Sequence, residues 1–173
     1  LAFQGVAVKP TKARHPAGFS FRTRKGTSMN DLHNNSRQAR VIDPLAIGAN
    51  ATKSGKIVDR QGYGGVEFIA AYGAVTTTGT VVTLVVKEGD ATGAMASVAD
   101  GDLLGTEALA SLPAATPRAS GTTKLVTKRV GYKGNKRYVT VDAVQTGVTS
   151  VGCVSVVAVL HSSAQGGAPI ANP

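Results

Sequence analysis

Apolar and polar residues alternate along much of this chain, the signature of half-buried β-strands. Val66, Phe68, Ala70 and Tyr72 alternate with Glu67, Ile69 and Ala71, which predicts a strand over 66–73. Thr80–Lys87 is the most β-prone stretch, and its unbroken apolar run predicts burial on both faces. Met95–Asp100 reads as a short strand. Asp102–Leu112 fits either a strand or one helical segment, closed by Pro113 and Pro117. Thr122–Tyr132 and Lys136–Val144 flank Lys133-Gly134-Asn135, which reads as a hairpin with Gly134 at a position needing a positive φ. In its second arm Val139, Val141 and Ala143 share one face, with Tyr138, Thr140 and Asp142 on the other. Val151–His161 is the last strand.

Earlier in the chain, Pro44 makes Val41–Ile47 an edge strand or entry segment, and Gly55–Asp59 a first body strand. Gly62-Tyr63-Gly64-Gly65 is a turn. Turn signals recur at intervals of about 8–12 residues and no long helical period is present. The expected fold is therefore all-β: an antiparallel β-sandwich or barrel of about seven strands. Its boundaries are expected at 41–161, after an extended arm over 1–40 and before an extended Gly-, Ala- and Pro-rich tail over 162–173.

Charge separates the arm from the body. Residues 1–40 hold eight basic side chains against Asp31 alone, a balance of +7 in a chain whose total is +9. Pro10, Pro16, Gly5, Gly18 and Gly26 oppose regular structure there. Phe19 and Phe21 are one residue apart, so they point to the same side of an extended segment and suit docking. Only 17% of the chain is charged, and it has no Trp. A core of small Ala and Val side chains gains less by burial, so contacts between subunits are expected to supply part of the stability.

The sequence offers little for catalysis. Gly48 and Gly55-Lys56 miss the phosphate-loop spacing, and Ile57 stands where its hydroxyl belongs. Gly62-Tyr63-Gly64 begins a dinucleotide-type pattern that Glu67 breaks. The three histidines have no zinc-ligand spacing. Asp100-Gly101-Asp102 with Glu107 is read as a turn rather than a calcium loop. Cys153, the sole cysteine, is expected to be a small core residue. No cofactor, metal or catalytic residue is assigned. No apolar stretch is long enough for a membrane helix, and Leu1–Ser28 lacks the apolar region of a secretory signal.

The order of motifs from Ile57 to Leu160 resembles a family of small tailed-phage virion proteins, typically encoded beside the major capsid protein. The matching pieces are Ile57–Tyr63 with Val66-Glu67-Phe68, then Val98–Gly105, then Arg129–Val139, then Val157–Leu160. Gly131-Tyr132, Gly134 and Arg137-Tyr138 form the most specific piece, with Gly62, Tyr63 and Phe68 next. The resemblance implies a structural protein of the phage head, a capsid decoration, cement or minor capsid protein with no catalytic site. It implies the major capsid protein or other virion proteins as partners, homo-oligomerisation, and a virion location after synthesis in the host cytoplasm. The arm lies outside the recurring pattern, so its role rests on charge: Lys9, Lys12, Arg14, Phe19, Phe21, Arg22, Arg24 and Lys25 are its expected partner-binding residues. The alternative is a viral coat protein whose arm binds packaged nucleic acid.

Overall fold

The computed structural model describes residues 32–75, 79–113, 125–148 and 152–163. They form two five-stranded antiparallel sheets packed face to face, as the alternating pattern requires. A helical turn, α1 (Leu32–Asn35), leads into β1 (Arg37–Ile47). Next come β2 (Ala51–Lys53), β3 (Val58–Asp59), β4 (Tyr63–Tyr72), β5 (Val81–Ala91) and β6 (Ala94–Ser97). A 3-10 turn at Asp100–Asp102 precedes β7 (Leu103–Leu104) and α2 (Glu107–Ala110). β8 (Val126–Tyr132), β9 (Tyr138–Thr146) and β10 (Gly152–Ser163) complete the sandwich. The first sheet has the order β1-β10-β4-β8-β7; the second has β2-β9-β5-β6, with β3 also on β9.

The core is built from alternate, inward-facing positions of the long strands. Val66, Phe68, Ala70 and Tyr72 of β4 face Val82, Leu84 and Val86 of β5, with Val154, Val156, Ala158 and Leu160 of β10 and Val139, Val141 and Ala143 of β9 buried among them. Such small side chains leave little room between sheets, so their shape complementarity carries the packing.

Several expectations change. There are ten strands rather than about seven, because β2, β3 and β7 have only two or three residues each. β1 is an edge strand but begins at Arg37, inside the segment assigned to the arm; Gln38 and Arg40 pair with Val159 and Val157. β10 runs to Ser163, past the expected end at 161. β5 is buried on one face only: Val82, Leu84 and Val86 are inside, whereas Thr83 is exposed. Cys153 is exposed, because the inward register of β10 is taken by Val154 and its alternate neighbours.

The largest correction concerns residues 133–137. β8 belongs to the first sheet and β9 to the second, so the segment is an arch between sheets and not a hairpin. Gly134 does not have a positive φ; Gly62, Gly105 and Gly147 do. Gly134 is instead required by a close approach, since a Cβ there would stand 2.6 Å from Cζ of Tyr132.

Two devices close the sides of the sandwich. Between β2 and β3 the chain detours over β9, which buries Thr140 and Asp142 although they face outward. Asp142 receives the Gly55 N–H at 3.3 Å and Lys87 Nζ at 2.7 Å, and Lys56 N donates to Val41 O of the opposite sheet at 2.8 Å. On the other side, α2 and the two residues after it cover the edge of β5 left free by β6. Val82 N donates to Leu112 O, Leu84 N to Ser111 Oγ and Val86 N to a Glu107 carboxylate oxygen. An edge so occupied offers no template for pairing with another chain. Ser111→Ala leaves the Leu84 N–H without its acceptor in a buried place, and the expected loss is about 1–3 kcal/mol of unfolding free energy. Ala108→Ser, on the exposed side of α2, is expected to stay within about 0.5 kcal/mol in the same denaturant titration.

Candidate functional site

Residues far apart in sequence meet at the end of the sandwich where β8 turns into the arch. Arg60 is at its centre. Its guanidinium lies 5.2 Å from the Tyr132 ring centroid, stacked on the face that carries the negative side of the ring quadrupole. Its N–H groups donate to the backbone carbonyls of Lys136, Gly134, Tyr63 and Gly64. A rigid planar fork suits this task, since one side chain ties the turn before β4 to the arch before β9. Arg60 N also donates to Arg137 O at 3.0 Å.

Tyr132 passes beneath the arch with its ring buried. Its hydroxyl donates to a Glu88 carboxylate oxygen and accepts from Lys136 N at 3.0 Å. Burial, and next the Glu88 hydrogen bond, push the phenol up to about 12, so the hydroxyl keeps its proton at neutral pH. Arg137 makes a two-pronged pair with Asp59, at 3.0 and 2.6 Å, and lies 5.0 Å from the Tyr138 ring centroid. Lys136 Nζ pairs with Asp90 at 2.6 Å. Lys133 N donates to Asp102 O at 2.9 Å, which attaches the 3-10 turn to the same pole.

The structure therefore brings together most of the residues the resemblance rests on. Gly62, at φ +87°, makes the turn that delivers Tyr63 into β4, and Tyr63 is buried. Gly131 leaves the space into which Glu67 and Leu104 fold, since a Cβ there would stand 2.6 Å from a Glu67 carboxylate oxygen. Tyr132, Gly134, Arg137 and Tyr138 build the arch. Phe68 belongs elsewhere, in the middle of the core beside Val130. Arg60 was not among the expected site residues; nothing local in Asp59-Arg60-Gln61 marks it as the tie between two loops. The expected arm residues Lys9, Lys12, Arg14, Phe19, Phe21, Arg22, Arg24 and Lys25 lie outside the described residues.

Both chain exits sit at this pole. Arg37 pairs with Leu160, Leu160 with Val66 and Val66 with Tyr132, so the start of β1 is level with the arch. Ser163 pairs with Tyr63 beside it.

Among the described residues no group of three or more His, Cys, Asp or Glu side chains is arranged to hold a metal ion. Glu107, a candidate beside Asp100 and Asp102, is occupied by the Val86 N–H. No described helix is long and apolar enough to cross a membrane. No protein-family model matches the chain, and no curated protein matches it.

Two outcomes test this arrangement. Gly134→Ala forces the arch and the Tyr132 ring apart and is expected to cost about 1–3 kcal/mol, as overpacking does. Gly93→Ala, whose new Cβ meets nothing within 4 Å, is expected to change stability by less than about 0.5 kcal/mol in the same denaturant titration. The second outcome is a pH dependence. The hydrogen bond from Arg137, and next that from Gln61 N, hold the Asp59 carboxyl below its ordinary value, against an opposing push from partial burial. A carboxyl depressed in the folded state stabilises the fold above the unfolded-state value, near 3.9, and loses that contribution as pH falls through the folded-state value. The melting temperature of Asp59→Asn is therefore expected to fall less steeply than that of the wild type between pH of about 5 and 2. Parallel profiles would show that the pair does not stabilise the fold.

Proposed function

We propose that this chain is a structural protein of a tailed-phage virion, a β-sandwich that self-associates and fastens to the capsid through its basic N-terminal arm. One observation carries the reading. Most of the motif pieces behind the resemblance, spread from Ile57 to Leu160, meet at the pole where β1 begins and β10 ends. At that pole three basic side chains are used on acids and on backbone carbonyls: Arg60 on four carbonyls, Arg137 on Asp59, Lys136 on Asp90. Groups so engaged make a rigid base. They are spent on holding loops, which suits a platform that anchors two chain ends to an assembly.

The arm supplies what the base lacks. Lys9, Lys12, Arg14, Arg22, Arg24 and Lys25 precede α1 with only Asp31 to offset them. Cations at this density attract an acidic protein surface or phosphates. The presence of Phe19 and Phe21 among them favours a protein clamp, since neutralising nucleic acid needs charge and no aromatic anchors.

Truncation separates the functions of arm and body. A chain lacking residues 1–28 is expected to keep the circular dichroism and melting temperature of the sandwich within a few degrees. Its retention on particles assembled from the capsid protein encoded beside it is expected to fall at least tenfold. Replacing the six arm cations by Gln distinguishes the two partners. A protein clamp predicts a modest loss with weak salt dependence. Binding of a labelled DNA duplex whose logarithmic affinity falls by about 0.9 per phosphate contact with the logarithm of salt would instead favour the coat-protein reading. Normal retention of the truncated chain would remove the arm from the mechanism.

A further inference from the structure

The two outer faces of the sandwich differ in character. On the second sheet Thr83 is exposed, and the detour between β2 and β3 covers Thr140 and Asp142. The outer face of the first sheet is apolar in its middle. There Val157 and Val159 of β10 and Ile69 of β4 are half-buried, because their alternate neighbours face the core. The two arginines of these outward rows are matched within the chain: Arg40 lies 3.4 Å from Asp43, and Arg129 lies 3.6 Å from Glu67.

The two edges of this face have complementary shapes. At the β1 edge is a groove of about 690 Å³, with Gln38, Arg40 and Pro44 of β1 on one side and Ser155 and Val157 of β10 on the other. At the β7 edge Leu104 and Leu109 are 50% and 69% exposed, and they share their surroundings with the outward Glu67 and Arg129. In the order β1-β10-β4-β8-β7 each edge is two strands from β4, about 10 Å on either side. A two-fold axis along β4 therefore lays β7 of one copy over β1 of another, and the reverse. Such a contact is made twice and closes at two copies.

We propose that a second copy of this chain packs on the outer face of the first sheet, with Leu104 and Leu109 of each copy in the β1-edge groove of the other. The proposal rests on the self-association in the reading above and supplies its surface. Area agrees with it. At a rise of about 3.3 Å and a spacing of about 4.8 Å per residue, the five strands present about 650 Å². A standard interface buries about 600–1,000 Å² on each partner. Charge agrees as well. The chain carries +9, so two copies repel wherever cations are unmatched, and this face has its arginines matched in each copy. Near the axis each Glu67 keeps its own Arg129, so bare like charges are not brought together. Burying the Val and Ile side chains in the middle of the face then adds to a core built from small residues.

Sedimentation of the full-length chain alone reads this contact without a capsid, so particle retention and dimerisation can fail separately. A concentration-dependent equilibrium between monomer and dimer is expected. Leu109→Lys and Val157→Lys, one on each side of the contact, are each expected to raise the dissociation constant at least tenfold. Thr83→Lys adds the same charge on the outer face of the second sheet and is expected to leave the constant unchanged. Melting curves identify any variant that fails to fold, and Leu109 is exposed enough for the monomer to tolerate its replacement. Cross-linking reads the geometry. Cys153 is the sole cysteine, so Cys153→Ser gives a background free of thiols. In that background, Leu109→Cys and Ser155→Cys chains are mixed and treated with a short bismaleimide. Mass spectrometry of the linked peptides is expected to find the two variants joined to each other more than either to itself. A chain that stays monomeric at every concentration would overturn the proposal, whether the face then takes the capsid protein or other residues of the same chain. So would a dimer indifferent to both face variants, one that Thr83→Lys weakens equally, or one in which Leu109→Cys joins only itself.

Discussion

The stacking of Arg60 on Tyr132 is the contact on which the pole depends. β8 ends in the first sheet and β9 begins in the second, so residues 133–137 must carry the chain over the open end of the core. An arch in that place exposes its own carbonyls and has no ladder to receive them. Arg60 satisfies those of Gly134 and Lys136 from below while its other N–H groups hold Tyr63 and Gly64. Tyr132 closes the core under the arch and uses its hydroxyl on Glu88 and Lys136 N. One guanidinium and one phenol thus replace the hydrogen bonds that a hairpin would have made for itself. A Lys in place of Arg60 would supply charge but not a planar fork that reaches two loops.

Edges constrain the rest of the fold. A sandwich of small side chains has little apolar area per residue to spare, and unpaired strand edges would invite association. β5 is covered by three different acceptors from 107–112, each of which meets one of its alternate N–H groups. Tyr72 Oη adds a hydrogen bond to Ala110 O at 2.8 Å, which fixes α2 to the first sheet as well. Burial raises the Tyr72 phenol well above its ordinary value, so this donor keeps its proton throughout the physiological range. On the opposite side Asp142 and Lys56 perform the same closure with a carboxylate and a backbone N–H.

Period-two alternation carried the long strands: the inward faces of β4 and β9 are the residues it marked, because burial on one face writes itself into every second position. It did not carry β2, β3 and β7, which are too short to show a period. It also could not tell an arch from a hairpin. Both place a Gly-containing loop between two alternating segments, and only long-range pairings, such as that of Val66 with Tyr132, separate them. Cys153 was misassigned for a related reason: in the run Gly152-Cys153-Val154-Ser155-Val156 polarity alone does not fix which face is inward. Gly134 is required by the Tyr132 ring and not by a turn conformation, and a ring packed against a glycine leaves no local trace in the sequence. Arg60 left none either, because its four acceptors are backbone carbonyls that any sequence provides.

The division of labour between aromatic and cationic residues gives this chain its logic. In the body, Lys87, Arg60 and Arg137 each hold one element against another. In the arm, the cations have a single acid to share. A charged segment gains electrostatic attraction to a partner but gives some of it up in ordering entropy on binding. Arg37, the first residue of β1, is level with the arch, so the rigid pole gives the arm a fixed origin.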